Sequence, residues 1–479
     1  MAPNACLDPD DWDEFRRLSH LALDAALDDL ISLRERPVWR ETPAEVLARL
    51  DDAAPEEGVG LEQVLAEFAR DIRPFGVGNR HPAFFGWAHG AGTPVGMVAD
   101  MLAAGLNLNC GGRNHVGVAL ERKIAAAMGE KFGFPATASG LFVTGASQAN
   151  FHGVLMARRA ALGARARENG ADGAKLRAYA SAEAHGCVAR AMDLAGLGTQ
   201  ALRRIPCDAE GRIRLDLLRA AIAADRAAGA RPFLLVGTAG TVNFGAFDPL
   251  EDLAEIAAKD GLWLHVDGAF GALAIFSQQL KPLTAGVARA DSLAFDFHKW
   301  AHVPYDAGFV LARDAQAQRD AFASPAAYLS RAETGLAKGE DWPCDLGPDL
   351  SRGFRALKVW MTLRAYGLRR LGENMERNCA HARRLAALID GSEEFERAGP
   401  VPLNIVCFRL KNAPEAANRA LVERLHVAGV AAPSLTQIDG RAALRCAIFN
   451  HRTRTADVEG FFQAARAQAR VRNPGSRCA

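Results

Sequence analysis

Between about Gly140 and Trp300, short apolar runs alternate with stretches of helical spacing, and this alternation constrains the fold more than any other feature of the chain. Gly140-Leu-Phe-Val-Thr144 leads through Gly145-Ala146-Ser147 into a helical pattern that ends near Arg158. Pro232-Phe-Leu-Leu-Val236, a loop, a helix and Gly261-Leu-Trp-Leu-His-Val-Asp267 form the clearest unit, and Ser292-Leu-Ala-Phe-Asp296 follows one crossover later. Runs that are apolar along their whole length belong to strands buried on both faces, the condition of parallel strands covered by helices. The spacing therefore predicts an α/β fold with a mainly parallel sheet, whose ligands sit beyond the carboxyl ends of the strands. In the helix of the central unit, Asp248 is the expected N-cap, Pro249 the first helical residue, Glu251 the reciprocal cap and Gly261 the terminator.

Outside this core the pattern changes twice. Phe15, Leu18, Leu21, Leu23, Leu27, Leu30 and Ile31 recur at helical spacing, and a second helical pattern covers Leu61 to Ile72, so residues 1–75 read as an N-terminal helical arm. Residues 76–355 form the large α/β unit, opening with a loop-rich stretch from Pro74 to Pro94. From 356 to 479 long helices (Arg355 to Leu371, Arg377 to Leu388) and short strands (Asn404 to Leu410, Ala442 to Phe449) indicate a smaller α+β domain, with Asn450-His451-Arg452-Thr453 as a solvated turn.

Composition excludes several classes of function. Lys and Arg number 57 against 56 Asp and Glu, a net charge of +1 with no basic block, so neither a nucleic-acid footprint nor a membrane-surface stripe is present. The nine cysteines are scattered without C-x-x-C spacing, which argues against a zinc ribbon or a disulfide framework; no metal site is expected, and a reducing compartment fits. The first residues lack a basic and apolar leader, and no apolar run of about 18 residues occurs, so the expectation is a soluble cytoplasmic protein. A small molecule is the expected partner.

Four elements carry chemistry. Lys299 closes the run Ser292 to Trp300, where a cation is either exposed or, when desolvated, a nucleophile able to form Schiff bases with carbonyl compounds. Asp267 ends the preceding strand and needs a cation or donor, for which a protonated pyridine nitrogen serves as well as the amides of a following helix. Ala269, two residues on, leaves room for a flat ring. Gly145, Ala146 and Ser147 lie between a strand and a helix, where small residues let amides approach a phosphate, although such a turn alone is often only a turn. His185 offers an imidazole for stacking or donation, or a structural histidine.

Together these residues closely resemble the group II pyridoxal 5'-phosphate (PLP) decarboxylases, the family of aromatic L-amino-acid decarboxylase. Further landmarks of the family occur in order: Phe15-Arg-Arg-Leu-Ser-His20, Ala54-Pro-Glu-Glu-Gly58, His81-Pro-Ala-Phe-Phe85, Ala99-Asp-Met-Leu102 and Phe354-Arg-Ala-Leu-Lys-Val-Trp360. The resemblance implies a PLP-dependent enzyme of fold type I that decarboxylates an L-amino acid with an aromatic or polar side chain to the amine and CO2. It implies that Lys299 forms the Schiff base, Asp267 pairs with the pyridinium nitrogen, His185 stacks on the ring, and Ala146, Ser147 and His298 hold the phosphate. Tyr328 resembles the loop tyrosine that reaches the neighbouring subunit's site and protonates the substrate α-carbon, and a homodimer is implied with it. Two alternatives keep the coenzyme: decarboxylation coupled to oxidative deamination, giving an aldehyde, and a PLP-binding protein without turnover.

The sequence also departs from the family. Asp296-Phe297 stand where Asn-Pro is usual, and a carboxylate there repels a phosphate unless it faces elsewhere. The segment Asn107 to His115 is more polar than in aromatic decarboxylases, and Trp87 and His89 border it in the expected pocket. Arg113 and His115 accordingly either recognise a polar or anionic substrate tail or serve subunit packing.

Overall fold

The computed structural model describes residues 6–51, 54–171, 173–324, 330–339 and 341–470. Twelve strands occur among them: β1 (Phe84–Phe85), β2 (Ser139–Val143), β3 (Leu176–Ser181), β4 (Leu202–Ile205), β5 (Arg231–Thr238), β6 (Trp263–Asp267), β7 (Ser292–Asp296), β8 (Gly308–Ala312), β9 (Phe395–Arg397), β10 (Ile405–Leu410), β11 (Ala432–Ile438) and β12 (Arg441–Ala447). Seven form one sheet in the order β2-β8-β7-β6-β5-β3-β4, and five form a second in the order β1-β11-β12-β10-β9. In the large sheet β4, β3, β5, β6 and β7 run parallel, while β8 is antiparallel to both β7 and β2. The mainly parallel α/β expectation holds, with β8 as its exception.

Burial explains the choice of strands. Every residue of β7 and β8 is buried, as is nearly all of β5 and β6. Phe295, Phe297 and Phe309 pack edge-on and tilted beneath the sheet with ring centroids 5.1–5.8 Å apart. Register then fixes what lies together at one end: His265 pairs with Ser292 and Asp267 with Ala294, so the ends of β6 and β7 are neighbours.

Several local expectations are corrected. Asp248 caps no helix: its carboxylate accepts from the amides of Ile213 and Thr238, each at 2.8 Å, and the helix begins at Leu250 without a side-chain cap. Those two amides belong to segments distant in sequence, which local spacing does not reveal. Gly261 does terminate that helix, in the left-handed conformation (φ 65°). The crossover from β6 to β7 contains no α-helix but three 3₁₀ turns, Gly271–Phe276, Lys281–Thr284 and Val287–Arg289. The long helix Arg355–Asp390 breaks at Gly367 (φ 72°, ψ 154°), earlier than the predicted gap after Leu371. Asn450 and Thr453 are buried rather than solvated, and Asn450 Nδ2 donates to the carbonyls of Asn79, Arg80 and His81.

The N-terminal helix Trp12–Ile31 begins at a true cap, Asp11, which accepts from the amides of Asp13 and Glu14. It buries only Leu18 and Asp29, leaving Trp12, Phe15, Leu21 and Ile31 exposed. No helix among the described residues is long and apolar enough to cross a membrane, and no cluster of histidine, cysteine and carboxylate side chains able to hold a metal occurs among them.

Candidate active site

Asp267 is the last residue of β6 and is buried, with Oδ1 accepting from the amide of Ala269 at 3.2 Å. Lys299 lies three residues beyond β7, in a turn that folds its amine back to 3.0 Å from Asp296 Oδ2. The charges of Asp267, Lys299 and Arg445 all act on His185, which brings β6, the turn after β7 and β12 to one point. Burial lowers the His185 pKa most; the carboxylate of Asp267 opposes this, and Lys299, Arg190 and Arg445 reinforce it. His185 Nδ1 accepts the amide of Cys187 at 3.1 Å, so the ring proton sits on Nε2, which is left as a donor.

Gly145 precedes the helix Ala146–Leu162, whose first-turn amides have no partners within the helix and favour an anion. A side chain on Gly308 would collide with the backbone of Gly145, so this pair of glycines lets β8 close against the turn. A Cβ on Gly145 would lie 3.7 Å from His298 Cε1 and 3.9 Å from Asp296 Oδ1, and that carboxylate oxygen is buried with no hydrogen-bond partner. Ser147 is exposed at the turn, near Cys187.

The Asp296 carboxylate faces two cations or donors, Lys299 Nζ at 3.0 Å and His298 Nε2 at 3.5 Å. Lys299 and His298 engage Oδ2, while Oδ1 stays beside the Gly145 turn without a partner, so the lysine offsets the negative charge but the carboxylate does not face away from the turn. His298 is buried; its Nδ1 accepts from the amide of Ala307 at 3.0 Å, and its ring lies 4.4 Å from that of Tyr305. Burial lowers its pKa, against Asp296.

The presumed substrate wall divides in two. His89 stacks on Phe84 (5.7 Å, 13°) and on Trp87 (5.8 Å, 25°); burial lowers the His89 pKa most, and the charge of nearby Lys299 adds to it. The polar groups of residues 107–115 turn the other way. Both His115 ring nitrogens face the backbone, Nδ1 accepting from Gly117 and Nε2 lying 3.2 Å from the carbonyls of Asn109 and Gly112. The Arg113 guanidinium lies 4.4 Å from the centre of the Trp342 ring. Asn109 Oδ1 accepts the amides of Gly111 and Arg352. Much of the polarity that set this segment apart therefore serves its own folding: both His115 ring nitrogens are occupied by the backbone, and the face of the Arg113 guanidinium is occupied by Trp342.

Tyr328 lies outside the described residues. Sequence reasoning passed over Asn150, Cys187 and Arg445, all buried beside this site. Arg445 had the same signal as Lys299: it is a lone cation in an apolar strand, Ala442-Ala443-Leu444-Arg445-Cys446-Ala447. No carboxylate pairs with it among the described residues, and its Nε donates to the carbonyl of Val242 at 2.7 Å. Asn150 had a weaker signal, its position one turn beyond Ser147 on the same helix.

The donor set fits pyridoxal phosphate. It comprises an amine, a buried carboxylate at a strand end, a neutral imidazole and a helix N-terminus opened by glycine, without a metal-ligand cluster among the described residues. The pyridoxal-dependent decarboxylase conserved domain matches residues 43–411. The chain is 32% identical over 461 residues to the aromatic-L-amino-acid decarboxylase of Bacillus atrophaeus, covering 93% of each protein. It is 28% identical over 477 residues to 4-hydroxyphenylacetaldehyde synthase of Rhodiola rosea, covering 96% of each. The structure of Catharanthus roseus tryptophan decarboxylase, solved in complex with L-tryptophan, superposes with a TM-score of 0.85 at 25% identity, covering 97% of this chain and 99% of that one.

Proposed function

The chain belongs to the pyridoxal-dependent decarboxylase family and carries out PLP-dependent decarboxylation of an amino acid through a lysine-linked coenzyme; within that activity we propose that the substrate is an aromatic L-amino acid and the product its amine. The observation that carries the substrate class is the wall of Phe84, Trp87 and His89 beside Lys299, together with the local partners that occupy Asn109 Oδ1, the Arg113 guanidinium face and both His115 ring nitrogens. Flat rings take flat rings, and a polar or charged side chain finds no partner on that side.

The roles follow from the geometry. Lys299 is the lysine that holds the coenzyme. When bound, the coenzyme supplies an electron sink for the bond that breaks, provided its ring nitrogen keeps a proton. Asp267 holds that proton by its negative charge, and Ala269 leaves the ring its space. The first-turn amides of Ala146 and Ser147 bind the phosphate, with Gly145 admitting it; His298, turned toward Asp296, positions Lys299 through that carboxylate. His185 stays neutral under burial and the neighbouring cations, so its Nε2–H is available as a donor at the reacting face. Tyr328 delivers a proton to the substrate α-carbon.

A homodimer is part of this proposal. The arm presents Trp12, Phe15, Leu21 and Ile31 to the outside, and the helix Pro94–Leu106 presents Met101, Leu102 and Leu106, apolar side chains that a partner subunit would cover. The eight described cysteines are all free thiols, which supports a cytoplasmic location.

The test is to give the PLP-loaded protein a panel of L-amino acids while CO2, amine, aldehyde and peroxide are measured together. Amine and CO2 in equal amounts from aromatic substrates are expected. Turnover confined to acidic or diamino substrates overturns the substrate class; aldehyde with peroxide overturns the amine product.

A further inference from the structure

Behind Asp267 runs a line of buried polar side chains that the reaction does not touch. Trp263, His265 and Asp267 alternate along β6 and therefore share one face of the sheet. Trp263 Nε1 donates to Ser292 Oγ at 2.8 Å, and Ser292 Oγ lies 2.8 Å from His265 Nδ1. His265 Nε2 lies 2.7 Å from Asn150 Oδ1, Asn150 Nδ2 donates to Cys187 Sγ at 3.3 Å, and Cys187 Sγ reaches Asp267 Oδ2 at 4.0 Å. Ser292, His265, Asn150 and Cys187 are all buried. Room for the imidazole comes from Gly153 in the middle of the helix Ala146–Leu162, where any side chain would collide with the His265 ring. Glycine is less favourable than alanine in a helix interior, so the site gives up helix stability for this ring.

The direction of the line is fixed by its chemistry. An indole N–H only donates, so Ser292 Oγ accepts from Trp263 and its own hydrogen goes to His265 Nδ1. The ring proton then sits on Nε2 and goes to Asn150 Oδ1, the amide NH2 goes to Cys187, and the S–H faces Asp267. The reverse order strands the Ser292 hydroxyl hydrogen without an acceptor in the line and removes a donor from the carboxylate, so the forward order is the one that gives each link both a donor and an acceptor. Burial holds His265 neutral by lowering its pKa to about 3, and pushes the Cys187 thiol up to about 12, so each stays in the form the order requires.

We propose that Trp263, Ser292, His265, Asn150 and Cys187 form a one-way hydrogen-bond relay that positions Asp267, as an acceptor-only carboxylate, for the coenzyme's ring nitrogen. The proposal rests on the assignment of Asp267 made above. With Ala269 N–H on Oδ1 and the Cys187 thiol on Oδ2, the carboxylate is held from both sides. These five are positioning residues, since none touches the reacting atoms.

The test compares two ligands on the full-length protein stripped of coenzyme, by quenching of tryptophan fluorescence. One is pyridoxal phosphate; the other is its carbocyclic analogue, with C–H in place of the ring nitrogen. The wild-type protein binds the former more tightly. Cys187→Ala weakens pyridoxal phosphate about fivefold, the worth of one hydrogen bond, and leaves the analogue unchanged. Trp263→Phe, at the far end of the line, shifts affinity in the same direction for the same ligand only. Equal loss for both ligands, or discrimination unchanged in both variants, overturns the relay. A wild-type protein that does not discriminate overturns the assignment of Asp267, a separate result.

Discussion

His152 is fully buried in the helix Ala146–Leu162, with neither ring nitrogen hydrogen-bonded and its ring 4.6 Å from that of Phe322. Burial lowers its pKa to about 3, with the nearby Arg352 guanidinium adding to the effect. In the unfolded chain a histidine titrates near 6.5, so below that pH the unfolded state binds a proton that the native state refuses. The native state is therefore unpenalised above about pH 6.5 and loses stability steadily as pH falls toward 3. Linkage between those two values gives a negligible cost at pH 7 and about 2 kcal/mol at pH 5. His152→Leu removes that difference. Packing changes in the variant are the same at both pH values and cancel, as does the acid sensitivity of His265 (about 3) and His451 (about 4), which both proteins share. The assay is the urea midpoint at the two pH values with the coenzyme equally saturating. The wild type should lose about 2 kcal/mol more than the variant between pH 7 and pH 5. Parallel losses would mean that His152 is hydrogen-bonded or solvated in the native protein.

Three further outcomes are expected. Asp267→Asn keeps the shape and removes the charge; kcat should fall by about two orders of magnitude or more while the coenzyme still binds, and a near-normal rate would remove the carboxylate from the mechanism. Arg352, buried, gives its guanidinium to Glu121 and to the carbonyls of Cys110 and Phe142. Arg352→Met leaves Glu121 buried and unpaired, costing about 3–5 kcal/mol in chemical denaturation, most of it recovered by adding Glu121→Leu. Tyr328→Phe should keep CO2 release while aldehyde and peroxide replace part of the amine; unchanged amine yield would assign the proton to another donor.

What could be read from the sequence is what local patterns encode. Lys299, Asp267 and the Gly145-Ala146-Ser147 turn all sit at ends of apolar strands, where one charge or small residue interrupts a buried run, whereas the place of His185 at the start of a helix carried no such signal. The parallel sheet followed from the same runs. Contacts made across long sequence separations left no such trace. Asp248 looked like a cap because Pro249 follows it, yet its partners are Ile213 and Thr238. The polar residues from 107 to 115 suggested recognition, but they are consumed by turns and by Trp342 from the far side of the large domain. The line from Trp263 to Cys187 exists only because β6 and β7 pair in one register, His265 against Ser292.

The account stands most directly on Lys299 as the residue that carries the coenzyme. Borohydride reduction of the PLP-loaded protein followed by peptide mass mapping should place the reduced adduct on the peptide containing Lys299, and Lys299→Ala should lose both the adduct and the visible absorbance. Lys358 provides the internal control, since it is buried and is paired with Asp100 at 3.3 Å and with the Tyr305 carbonyl at 3.1 Å. An adduct on Lys358, or an undiminished adduct in Lys299→Ala, would contradict the account.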